Sequence, residues 1–175
     1  MKGKPTYEEL EQRVNALEKE AAKRKKAEEA LRESEERFRD LYDEAPNAYF
    51  SISATDGSIL RCNSAALRLT GHDEQTMMRM KAFDLYADTP HGVSKAKKVF
   101  KRFKAGESMR NVELQMKHKD GRPIWVSLSS EPVRDHDEIV VRSRSIAIDI
   151  NERKQAEEVL QKKTHDLGER VKELN

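Results

Sequence analysis

The sequence predicts an α+β fold: a five-stranded antiparallel sheet with short helices on one face, set between two long helices that pair as coiled coils. Three observations carry this reading. Charged residues make up 38% of the 175-residue chain, against about a quarter in an ordinary soluble domain, and the excess sits mainly in the two flanks. Both flanks place apolar residues at seven-residue intervals. Between them, short alternating stretches are punctuated by turn and cap residues. The expected division is a leading helix over 1–44, a globular domain over 45–151 and a trailing helix over 152–175.

Taken in order, Leu10, Leu17, Leu31 and Phe38 occupy one heptad position of the leading helix, with Tyr7, Val14 and Ala21 on its partner. So narrow a seam is buried only against another such helix, and the simplest partner is a second copy. Glu9/Arg13, Glu28/Arg32, Glu33/Arg37 and Glu35/Arg39 have the i, i+4 spacing of a solvated helix. Ala45-Pro46-Asn47 ends it, because proline disfavours helical geometry in the residue before it. A strand over 48–53, an Asp56-Gly57 turn and a strand over 58–62 follow as a hairpin. Asn63 caps a helix over 64–70 that Gly71 stops, and Asp73 opens another through Met77, Met78 and Met80.

Thr89-Pro90 reads as a cap with proline at the first helical position, and Gly106 lies past the end of that helix. Val93, Ala96, Phe100 and Phe103 form its inward stripe. Three strands complete the sheet: one in which Val112, Leu114 and Met116 alternate with polar residues, then 123–133 after the Asp120-Gly121 turn, then 139–150. In the last, one face carries Val141, Ser143, Ser145 and Ala147, and the other Val140, Arg142, Arg144, Ile146 and Ile148. The serine face is expected inward, since two unpaired arginines in a core are costly to desolvate. The reverse register would imply an anionic ligand. In the trailing helix Leu160, Leu167 and Leu174 repeat by seven, with Val171 beside them.

Several functions are excluded. The net charge of +2 calls for no nucleic acid, and Lys95, Lys98, Lys101, Arg102 and Lys104 read as a solvated face without outward aromatics. No glycine-rich phosphate loop occurs, so kinase catalysis is not in this chain. One cysteine, Cys62, makes neither an internal disulfide nor a structural zinc site. No apolar run spans a membrane and the start is no signal peptide, so a cytoplasmic location without membrane contact is expected. His165-Asp166-Leu167 has the look of a phospho-accepting box, but no proline follows and the segment reads as linker.

The runs ALRESEERFRDLYDEAPNAYFSI, ATDGSILRCNSAALRLTGHDE, KHKDGRPIWVSLSSEPVRD and IAIDINERKQAEEVL together resemble a PAS domain of the bacterial sensor type, over roughly 31–160. The resemblance implies a sensory module of a sensor histidine kinase, with the output domain outside this chain. It also implies that Asp149, closing the last strand, fixes the start of an output helix, with Ile150, Asn151 and Arg153 completing a relay hinge. Asn151 stands where the family more often has threonine or serine; either residue caps a helix. Phe100, Ser143 and Ser145 are the candidate ligand-pocket residues for a small molecule. No cofactor is required. His91 lies near the iron-ligand position of haem-binding relatives, but reads as a surface residue, and Cys62 lacks the rest of the flavin photosensor motif. The expected mechanism is a change in the core or its ligand that re-registers the outgoing helices of a parallel homodimer. The alternatives are a ligand-free dimerisation module that sets coiled-coil register, and a haem-based gas sensor.

Overall fold

The computed structural model describes residues 6–173. The chain divides into two compact units between Tyr42 and Asp43, two residues before the expected boundary. The first unit holds all but the last residue of helix α1, Tyr7–Asp43, none of whose residues is buried. Leu10, Val14, Leu17, Leu31 and Phe38 are all exposed. At its start Glu9 accepts from the Thr6 N–H at 2.8 Å while Thr6 Oγ1 accepts from the Glu9 N–H at 3.3 Å. This reciprocal cap occupies Glu9, so the expected Glu9/Arg13 pair is replaced. Of the expected pairs Glu33/Arg37 forms, and Arg32 pairs forward with Glu36 instead of back with Glu28.

The second unit contains five strands, β1 (Ala48–Ile52), β2 (Ile59–Cys62), β3 (Met109–Lys117), β4 (Pro123–Arg134) and β5 (Val140–Asp149). They form one sheet in the order β2-β1-β5-β4-β3, antiparallel throughout. Helices α2 (Ser64–Thr70), α3 (Glu74–Met77) and α4 (Val93–Lys104) and a 3₁₀ turn at Ala82–Leu85 lie between β2 and β3 in the chain. Helix α5, Asn151–Glu173, leaves the end of β5.

Asn63 shows how local preference and tertiary need coincide. Its Oδ1 accepts from the Ala66 N–H, capping α2, and also from the Tyr49 N–H of β1, while its Nδ2 donates to the Asn47 carbonyl. One buried amide therefore fixes α2 against the sheet. Gly71, at φ +75°, ends α2 in the left-handed conformation that glycine tolerates. Met77, Phe103, Leu114, Met116, Ile124 and Val126 fill the layer between sheet and helices.

The start of α4 differs from expectation. Thr89-Pro90 does not open the helix; Gly92 is its N-cap and Val93 its first residue. The Ala87 N–H instead donates to the Gln115 carbonyl and the Gln115 N–H to the His91 carbonyl. Segment 87–91 thus satisfies the free edge of β3, where open backbone groups otherwise await a partner. Val99 joins the buried stripe, and Val93 and Phe100 are only partly buried.

Candidate functional site: a cavity beneath helix α4 and the helix exit

Between α4 and the sheet lies a cavity of about 60 Å³. Its helix side is aromatic and aliphatic: Phe83, Leu85 and Tyr86 from the 3₁₀ turn and its end, and Val99, Phe100 and Phe103 from α4. Phe100 packs edge-on to Phe83, with ring centres 5.3 Å apart. The sheet side carries Phe50, Ile52, Met116 and Leu128, and then three hydroxyls, those of Ser130, Ser143 and Ser145. Strand pairing explains their meeting, since Ser130 of β4 stands opposite Ser145 of β5 and Ser143 is two residues along the same face. The oxygens of Ser130 and Ser145 are 2.9 Å apart, Ser145 donates to Ser143 at 3.0 Å, and Ser143 accepts from the Ile52 N–H at 3.1 Å.

The inward face of β5 is therefore the serine face. Arg142 and Arg144 are exposed on the other, where Arg142 donates to Ser51 and Arg144 pairs with Glu131 at 3.5 Å. Tyr86 is the sole titratable group lining the cavity, and burial pushes its phenol up to about 12. The cavity wall is uncharged at neutral pH.

At the other end of the same two strands the chain turns into α5. Where β5 stops, Trp125 of β4 still turns its backbone N–H and carbonyl toward it. The Ile150 N–H donates to that carbonyl at 2.9 Å, and Asn151 Oδ1 accepts from the Trp125 N–H at 3.0 Å. The Asn151 side chain replaces the next strand residue. Asp149 holds it there, its Oδ1 accepting from the Asn151 N–H at 2.8 Å and from Asn151 Nδ2 at 2.9 Å. This corrects the expectation for Asn151, which stands inside the helix and bonds the sheet rather than capping. Asp149 closes β5 as expected, and it bonds the backbone and the side chain of Asn151.

A second fastening was not foreseen. Glu113 of β3 takes an ion pair from Arg153 and another from Lys154, the latter at 2.6 Å. Glu157, one turn on, pairs with the same two cations at 3.5 and 3.1 Å. Lys154 Nζ also lies 5.2 Å from the centre of the Trp125 ring, within cation–π range. These hydrogen bonds and charges, Lys154's first, hold the Glu113 carboxyl below its ordinary value of 4.5. Alternation in β3 marks Glu113 as outward, but nothing local names its partner forty residues away.

The other candidates fall away from both places. The His91 ring packs 5.1 Å from Trp125, which alternates with buried Ile124 and Val126 and so faces away from the cavity. His91 does not line it, and about 60 Å³ is far below the roughly 300–1,000 Å³ of a cofactor-sized pocket, so a haem does not fit. Cys62 ends β2, is half-buried, and burial raises its thiol to about 11. Leu160 and Leu167 are exposed on α5; the Val171 side chain and all of Leu174 lie outside the described residues. Among the described residues no helix is long and apolar enough to cross a membrane.

Comparison with known proteins follows the same outline. The family model of the PAS domain matches residues 46–152. No curated protein sequence matches the chain. Among solved structures, the PAS domain of an HTR-like protein from Haloarcula marismortui is 21% identical, with a TM-score of 0.60 over 72% of this chain and 99% of that one. A domain of a sensory box sensor histidine kinase/response regulator from Geobacter sulfurreducens is 23% identical, with a TM-score of 0.53 over 67% and 95%. An RNA-binding light-oxygen-voltage receptor is 19% identical, with a TM-score of 0.63 over 73% of this chain and 36% of that one. The matched span, more than half of the chain, makes this chain a member of the PAS domain family, and the strand order agrees with it.

Proposed function

We propose that the chain is a non-catalytic sensory relay: occupancy of the cavity biases the β4–β5 pair, and the pair passes the bias to α5 and thence to an output domain, in a homodimer held by parallel pairing of α1 and of α5. One observation carries the reading. The two strands that supply the cavity's serines also hold the start of α5 through Trp125 and Asp149, and Ser145 and Asp149 are four residues apart on one strand, about 13 Å of extended backbone. A shift of β5 at the serines therefore acts directly on the clasp. Its outcome needs a two-state element, and a helix pair with discrete packings is one. The exposed apolar seam residues of α1 and of the described part of α5 support the dimer, because so narrow a stripe is buried only against another such helix.

Cysteine cross-linking tests the pairing. Leu160→Cys and Leu167→Cys, each made separately, are expected to form a symmetric disulfide under mild oxidation, since equivalent heptad positions meet in a parallel pair. The half-buried Cys62 thiol, raised to about 11, is a slow competitor, and the unsubstituted chain controls for it. Failure of both variants to cross-link, or a monomer by light scattering at micromolar concentration with full helical circular dichroism, overturns the dimeric reading.

A further inference from the structure

The serine hydroxyls of the cavity contain one hydrogen more than they use. Three serines carry three O–H hydrogens, and the chain they form consumes two. Ser145 spends its hydrogen on Ser143, so the bond between Ser130 and Ser145 is donated by Ser130. Ser143, which is 2% exposed, accepts from both Ser145 and the Ile52 N–H, and its own hydrogen is given to no protein acceptor. Every serine oxygen has a partner; one serine hydrogen has no acceptor among the described residues. A buried donor without an acceptor costs about as much as a lost hydrogen bond, so the site is incomplete as protein alone.

We propose that the cavity is a binding site for a small neutral molecule with an apolar body and one hydrogen-bond acceptor, such as a short ketone, aldehyde or ester, whose oxygen takes the Ser143 hydroxyl hydrogen. The acceptor is required by that surplus donor. Neutrality follows from the wall, which contains no lysine, arginine or histidine to compensate an anion, and burying an uncompensated charge is prohibitive. The apolar body follows from Val99, Phe100 and Phe103 opposite the serines. Size follows from about 60 Å³, since a cavity of about 150 Å³ accommodates benzene and a water molecule's share of liquid volume is about 30 Å³. A molecule of a few non-hydrogen atoms fits. This rests on the cavity as the stimulus end of the proposed relay, but concerns binding alone.

The test is titration of the whole chain, followed by amide NMR, with three probes of nearly one shape: butanone, its isosteric alkene 2-methyl-1-butene, and propanoate. Butanone is expected to bind at least tenfold more tightly than the alkene, to shift the Ile52 and Ser143 amides, and to compete with no measurable propanoate binding. In Ser130→Ala/Ser145→Ala, where Ser143 keeps its donor, the preference for the ketone should persist; in Ser130→Ala/Ser143→Ala/Ser145→Ala it should vanish while the alkene still binds. Equal binding of ketone and alkene by the unsubstituted chain, tighter propanoate binding, or no binding of butanone because ordered water already fills the site, each overturns the proposal whether or not the triple variant folds. A relay that fails while butanone binds as described would sink the signalling reading and leave this one standing.

Discussion

Replacing Asn151 with alanine removes one bond that the sheet does not replace. The Trp125 N–H loses its acceptor at 3.0 Å in a part-buried position, and a buried donor left unsatisfied costs about 1–3 kcal/mol. The second lost bond, from Nδ2 to Asp149, is exposed, so water replaces it at little net cost. Alanine returns a few tenths of a kcal/mol, up to about 0.7, as the better helix former. The balance is about 1–2 kcal/mol, lowering the melting temperature by roughly 3–8 °C. Most of that loss is local. Amide hydrogen exchange is the assay, and the Trp125 N–H and the Lys154 N–H, which bonds the Ile150 carbonyl, should exchange about tenfold faster, a tenfold change being about 1.4 kcal/mol. Leu114, at the centre of β3, should be unaffected. If Trp125 keeps its protection to within twofold, the Asn151 side chain does not fasten the helix and the clasp is wrong.

Acidification should open the second fastening. The Glu113 carboxyl titrates below 4.5 because Lys154 and Arg153 hold its charged form, so its stabilisation is full above 4.5 and is lost as pH falls through the lowered value. Exchange in the first turn of α5 should accelerate over that range, and Glu113→Gln should abolish the pH dependence. Gly92→Ala should be severe, about 3 kcal/mol or more by chemical denaturation, because its Cβ would stand 1.9 Å from the Ala87 carbonyl oxygen; a loss below about 1 kcal/mol would contradict the packing of segment 87–92. Leu160→Ser with Leu167→Ser should weaken the dimer by roughly 2 kcal/mol or more per leucine, read by sedentation-velocity or light-scattering dilution series, with the melting of the sheet unchanged. Asp149→Ala should free the Asn151 side chain and speed Trp125 exchange by less than Asn151→Ala does; an equal or larger effect would show that Asp149 bonds the sheet itself.

What could be read from sequence was what is decided within a few residues. Asn63, Gly71 and Asp73 act on backbone one turn away, and alternation divided β5 into a serine and an arginine face before desolvation cost chose between them. What failed was settled at a distance. Thr89-Pro90 is a good helix start, yet the free edge of β3 captured the backbone at 87 and 91, and two strand-type bonds outweighed one cap. Asn151 has the residue type of a cap, but Trp125, twenty-six residues earlier, presented an open N–H that only a tertiary structure reveals. Glu113 read as an ordinary outward residue for the same reason. Phe100, Ser143 and Ser145 were legible as pocket residues, whereas Ser130 was not, because its place depends on the register of β4 against β5.

The two fastenings at the exit act differently on a relay. The Asp149–Asn151–Trp125 bonds join α5 to the strand pair that carries the cavity serines, whereas the Glu113 pairs join it to β3, whose partner in the sheet is β4 alone. A displacement of β5 relative to β4 strains the first directly and reaches the second only through β4. In the proposed relay the helix would then be pulled from one side and tethered from the other, so that a sliding of strands would become a change of helix direction. Arg153 is exposed and Glu113 and Lys154 are half-buried at the surface, and surface pairs contribute about 1 kcal/mol or less; the part-buried Trp125 bond is worth as much or more. A coupling of the usual 1–3 kcal/mol is therefore within what these few contacts can transmit, and the weaker tether is the one that yields.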